Sequence, residues 1–98
     1  MGENMDISFE KACNIIDNNK IERVFCIEDF KEEDWGKPKS KGVAESTITL
    51  FECGRDVGVE SIAPMVAISE EDVLKVSSGN KELILNFNDG TKYRIVLS

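Results

Sequence analysis

Along the last third of the chain the large apolar residues fall at every second position. Two such segments, Leu83-Ile84-Leu85-Asn86-Phe87 and Thr91-Lys92-Tyr93-Arg94-Ile95-Val96-Leu97, flank Asn88-Asp89-Gly90. A two-residue Asp-Gly turn would pair Phe87 with Lys92 and Leu85 with Arg94, setting charges on the apolar face. A three-residue loop, a type I turn closed by a left-handed Gly90, instead pairs Phe87 with Thr91, Leu85 with Tyr93 and Leu83 with Ile95. Every large residue then shares one face. Upstream, a two-residue Gly79-Asn80 turn pairs Val76 with Leu83 and Leu74 with Leu85. Residues 72–78, 81–87 and 91–97 are therefore predicted to form a three-stranded antiparallel meander.

The pattern changes period near the start. Phe9, Ala12, Cys13 and Ile16 recur at helical spacing behind Ser8, an N-cap residue, and Ile15 widens the stripe. Asp17-Asn18-Asn19, whose side chains compete for backbone hydrogen bonds, should end that helix. Residues 1–5 are polar and expected to fray, so one helix is predicted to precede all the strands. Ile21 to Glu28 is rich in branched and aromatic types and reads as a mostly covered strand. Residues 29–42 hold the tryptophan, two glycines and a proline without alternation, and read as a long loop. Thr47 to Cys53 reads as a strand, Gly54-Arg55-Asp56 as a turn before Val57, and Val59 to Ile68 as a strand interrupted by Pro64. Ser69 to Asp72 is a polar corner leading into the meander. The expected architecture is a single α+β domain over residues 1–98, its N-terminal helix packed on a twisted antiparallel sheet of about six strands.

Charge narrows the partners. Nineteen acidic against twelve basic side chains leave a net charge of −7, which disfavours direct contact with nucleic acid or anionic lipid and favours a basic protein partner. Histidine is absent, which removes the commonest general base and metal ligand. Cys13, Cys26 and Cys53 are odd in number, far apart and set in apolar contexts, as expected of reduced core residues. No signal-peptide pattern or membrane-length apolar run occurs, so a cytoplasmic location is expected.

The stretch Ile68-Ser69-Glu70-Glu71-Asp72-Val73-Leu74-Lys75-Val76, followed by Leu83-Ile84-Leu85 and by Asp89-Gly90-Thr91-Lys92-Tyr93-Arg94-Ile95, resembles the strand, corner, strand and hairpin of bacterial pleckstrin-homology-like domains. It covers about a third of the chain, residues 68–97. The resemblance implies a non-catalytic binding scaffold and carries no specific residue role.

One cluster stands out as candidate chemistry: Glu28, Asp29, Phe30, Glu32, Glu33, Asp34 and Trp35. Aromatic rings among carboxylates can anchor in a basic partner while the charges speed encounter. The plainer alternative is a solvated loop whose Phe30 and Trp35 fold back to cap the core. Paired-carboxylate catalysis is the weakest reading of the cluster. Lys37, Lys39 and Lys41 read as a flexible charged linker, and the asparagines around Asp89-Gly90 as turn chemistry, since a calcium loop's alternating ligand series is missing. No catalytic residue, cofactor or metal site is predicted. The function expected is that of a small acidic protein-binding module, of the inhibitor or immunity type, covering a basic surface of its partner. A small-ligand or lipid-binding pleckstrin-homology-like domain is the alternative, and an enzyme using carboxylates or a thiol ranks third.

Overall fold

The computed structural model describes residues 5–51 and 66–98. The helix α1, Phe9–Asn18, starts at Ser8, whose Oγ accepts the Lys11 N–H at 3.1 Å, and buries Phe9, Ala12, Cys13 and Ile16 as the spacing predicts. It ends where the asparagines begin. The Asn18 and Asn19 side-chain amides donate to the carbonyls of Asn14 and Ile15 at 2.8 and 2.7 Å. α1 carries no basic residue in its last turn. That role falls to Lys41, whose ammonium donates to the carbonyl oxygens of Ile16, Asp17 and Asn19, placing a cation on the negative end of the helix. Lys41 is thus a structural anchor and not part of a flexible linker.

Among the described residues, six strands form the larger sheet. β1 (Met5–Ile7), β2 (Ile21–Glu28), β3 (Lys31–Gly36), β7 (Val73–Gly79), β8 (Glu82–Phe87) and β9 (Lys92–Leu97) lie in the order β1-β7-β8-β9-β2-β3. All neighbours run antiparallel. β4 (Ser40–Ala44), β5 (Thr47–Phe51) and β6 (Val66–Ser69) form a second antiparallel sheet, and a single 3₁₀ turn, Glu70–Asp72, leads on to β7. The buried side chains of α1, Ile48, Leu50, Val66 and Ile68 of the small sheet, and Val24, Val76, Leu83, Leu85 and Ile95 of the large one make a single apolar cluster. This is an α+β fold.

The expected register holds at one meander hairpin and slips at the other. Leu83 faces Ile95 and Leu85 faces Tyr93, and the loop closes through Phe87 N–H to Thr91 O at 2.8 Å and Gly90 N–H to Phe87 O at 3.1 Å. Gly90 has φ +96°, the conformation that loop requires. Between β7 and β8 the turn is Asn80-Lys81, not Gly79-Asn80, so Val76 faces Leu85 and Ser78 faces Leu83. The shift of two residues keeps the same side chains inward, and for that reason alternation cannot detect it. A bulge between Val73 and Lys75 lets Val73 pack on the core, while Leu74 turns out and is 72% exposed instead of joining the apolar face.

Three further expectations are corrected. β1 precedes the helix, and Met5 is part of that strand, paired with Ser78. Residues 29–42 are not a long loop: they contain the edge strand β3 and the start of β4. The strand expected at 47–53 is seen as β5, and the one expected to end at Ile68 as β6. Cys53, Val57, Pro64 and the turn at residues 54–56 lie outside the described residues.

Candidate functional site

The acidic-aromatic cluster is a β-hairpin. Glu28 pairs with Lys31, leaving Asp29 and Phe30 as a two-residue turn in which both have positive φ, 50° and 65°. Two left-handed residues in a two-residue hairpin define a type I′ turn, whose preferred residues are Asn-Gly and Asp-Gly. Asp29 suits its position. Phe30 does not, since a bulky side chain in left-handed backbone is strained, and its ring is also left fully exposed at the tip.

Strand alternation then splits the remaining residues between two faces. Glu32 and Asp34 pair with Ile27 and Phe25 and point to the outer face of the large sheet. Each has a cation there. Arg94 reaches Glu32 at 3.0 Å, lies 3.9 Å from Glu82 and sits over the Phe25 ring at 4.4 Å, while Arg23 meets Asp34 at 3.3 Å. Asp34 also accepts the Gly36 N–H at 2.9 Å. On the inner face, Glu33 accepts the Trp35 indole N–H at 3.2 Å. Trp35 is the extra residue of a bulge between the Phe25–Asp34 and Val24–Gly36 pairs, and its half-buried ring meets Tyr93 edge-on at 6.2 Å. Tyr93 in turn meets Phe87 at 5.2 Å.

Of the seven residues predicted to bind a partner, all lie on one hairpin but only Glu28, Asp29 and Phe30 cluster at its tip. Glu28 and Asp29 border two open grooves. One, of about 490 Å³, lies between this tip and the β8–β9 tip and is lined by Phe30, Asp89, Gly90 and Lys92. The other, of about 230 Å³, is lined further by Cys26, Lys31, Glu33, Trp35 and Tyr93. Sequence reasoning missed Asp89 and Lys92 as neighbours of the cluster, because nothing local links the two hairpins. The signal available was that Ile21–Glu28 and the meander both need partners, which brings β2 beside β9.

The two described cysteines, Cys13 and Cys26, are buried free thiols. Burial pushes both thiols up, with nearby Glu70 and Glu10 adding to the effect at Cys13, while a Tyr93 hydrogen bond opposes it at Cys26. Thiolate is therefore scarce at neutral pH. Among the described residues no group of His, Cys, Asp and Glu is arranged to hold a metal, and no helix is long and apolar enough to cross a membrane. No protein-family model, curated protein or solved structure matches the chain.

Proposed function

We propose that the protein is a small acidic binding module that covers a basic surface of a protein partner through the tip of the β2–β3 hairpin, in the manner of an inhibitor or immunity protein. The observation that carries this reading is Phe30. A phenylalanine in left-handed backbone, with its ring in water, costs folding free energy at a turn where glycine would cost little. Such local cost is typical of sites kept for recognition. Around it, among the described residues, Glu28 and Asp29 form no ion pair with this chain's own cations, in contrast to Glu32 and Asp34. An exposed ring with adjacent carboxylates supplies an anchor and an attractive field, the two parts of a basic-surface contact.

The test is affinity capture from native lysate with wild-type bait and with the double variant Glu28→Lys, Asp29→Asn, at low and high salt. Asparagine keeps the left-handed tolerance of position 29. The reading expects a basic protein bound by wild type, lost with the variant and weakened by salt. A partner retained equally by both baits contradicts it.

A second reading, a lipid- or small-ligand-binding domain of pleckstrin-homology-like type, draws on a groove of about 280 Å³ lined by Lys20, Lys37, Lys39 and Lys41 around Ile21 and Pro38. It ranks second because the Lys41 ammonium is held by the carbonyls that end α1, where the helix dipole is negative and an anion is disfavoured.

A further inference from the structure

We infer that β3 is a docking edge, taking an extended, lysine- or arginine-rich segment of the partner as an added strand. This rests on the basic-partner reading and specifies how contact is made. β3 ends the six-stranded sheet, and among the described residues no strand pairs with its outer side. The turn determines which backbone groups are offered there. In a two-residue hairpin the closing pair, Glu28 and Lys31, exchanges hydrogen bonds, and so does the next such pair, Cys26 and Glu33. The backbone N–H and C=O of Glu32 and Asp34 therefore point away from β2, spaced as one strand offers them to another.

The side chains select what can add. Carboxylates lie on both faces of β3, Glu32 and Asp34 outside, where Arg94 and Arg23 pair with them, and Glu33 inside, on the face that Lys31 shares. Six carboxylates, Glu28, Asp29, Glu32, Glu33, Asp34 and the neighbouring Asp89, against the four nearby cations Arg23, Lys31, Lys92 and Arg94 leave the hairpin negative. The inner groove suits one long cationic side chain in particular, since the rings of Trp35 and Tyr93 lie beside three carboxylates, Glu28, Asp29 and Glu33, against the single cation Lys31. Pairing with a second copy of this chain is disfavoured by the same charges. Antiparallel self-pairing centred on Glu33 would set Glu33 opposite Glu33 and Glu32 opposite Asp34, and like charges directly opposed are destabilising. Charge on an edge strand ordinarily deters strand addition. An edge of net negative charge deters acidic strands while leaving basic ones favoured.

The experiment uses ¹⁵N-labelled full chain and two capped octapeptides, one alternating lysine with threonine and one alternating glutamate with threonine. At saturation the lysine peptide is expected to slow amide exchange at Glu32 and Asp34 about tenfold or more, to leave Lys31 and Glu33 nearly unchanged, and to give backbone cross-peaks to β3. The glutamate peptide should do none of this. Two results overturn the docking edge: a lysine peptide that binds with exchange at Glu32 and Asp34 unaltered, or one that does not bind at about millimolar concentration. Both leave the basic-partner reading standing if capture still depends on Glu28 and Asp29. Loss of that dependence is what overturns the broader reading.

Discussion

Two hairpin tips lie side by side in this fold and are built on opposite terms. The β8–β9 tip puts glycine where the backbone turns left-handed, at Gly90, and lets the Asp89 carboxylate accept the Thr91 N–H at 2.8 Å. It is further tied down by the Asn88 N–H and side-chain amide, which donate to the carbonyls of Asp72 and Glu71 at 3.0 and 3.1 Å. The β2–β3 tip puts phenylalanine in the left-handed position and gives the ring nothing to pack on. One tip has each residue suited to its backbone; the other carries a local conflict. Where every local preference agrees with the fold, stability is explained, and the place where one disagrees is where function is best sought.

The largest expected effect lies beneath the well-formed tip. Leu85 is fully buried between Val76 and Tyr93, so Leu85→Ala is expected to cost about 2–5 kcal/mol in denaturant unfolding, through lost transfer energy and the cavity left behind. A loss under about 1 kcal/mol would mean that the inner face of the meander is not the core. Next comes Gly90. A Cβ there would meet nothing within 4 Å, so the cost of Gly90→Val, about 1–3 kcal/mol, is backbone strain alone. Gly90→Asn should recover part of it, because asparagine tolerates positive φ. Equal melting of glycine, asparagine and valine variants would remove the contrast between the tips.

The smallest effect is a pH dependence at Asp89. The Thr91 backbone N–H, then the Thr91 side chain, hold this exposed carboxyl below its ordinary value of 3.8. Because the folded value is the lower one, the contribution is present in full above the unfolded value and is lost as pH falls through the folded one. Asp89→Asn should therefore flatten the acid limb of the stability curve below about pH 4 and leave neutral pH little changed. An unchanged acid limb would show that the bond is not kept in solution.

The β8–β9 hairpin was legible because three signals agreed on it: the alternation of Leu83, Leu85 and Phe87 with Tyr93 and Ile95, the glycine at position 90, and the charges that a two-residue turn would place on the apolar face. The helix was legible for the same reason, with Ser8, the apolar stripe and the asparagines all in place. The β7–β8 turn was misplaced by a shift of two residues, which leaves the pattern of faces intact. β3 escaped notice because its first four residues are exposed on both faces and give no alternation to read, and because Asp-Phe is not a turn pair that chemistry favours. Lys41 escaped for a different reason: a cation that ends a distant helix is fixed by tertiary position alone. Of the candidate site, residue identity was readable but arrangement was not. The sequence order runs the acidic residues together, whereas the strand sends Glu32 and Asp34 to Arg94 and Arg23 on one face and Glu33 to Trp35 on the other.

The central claim, that Phe30 sits at its tip for a partner and against the fold, is tested most directly by measuring Phe30→Gly twice, once by thermal or denaturant unfolding and once by capture of the basic partner. Removing a bulky side chain from left-handed backbone is expected to hold stability level or raise it by up to about 1 kcal/mol, with strain relief offset in part by glycine's greater chain entropy. Capture is expected to fall at least about tenfold, as for loss of an aromatic anchor. A variant that unfolds more readily than wild type, or that binds the partner as well, would contradict the account.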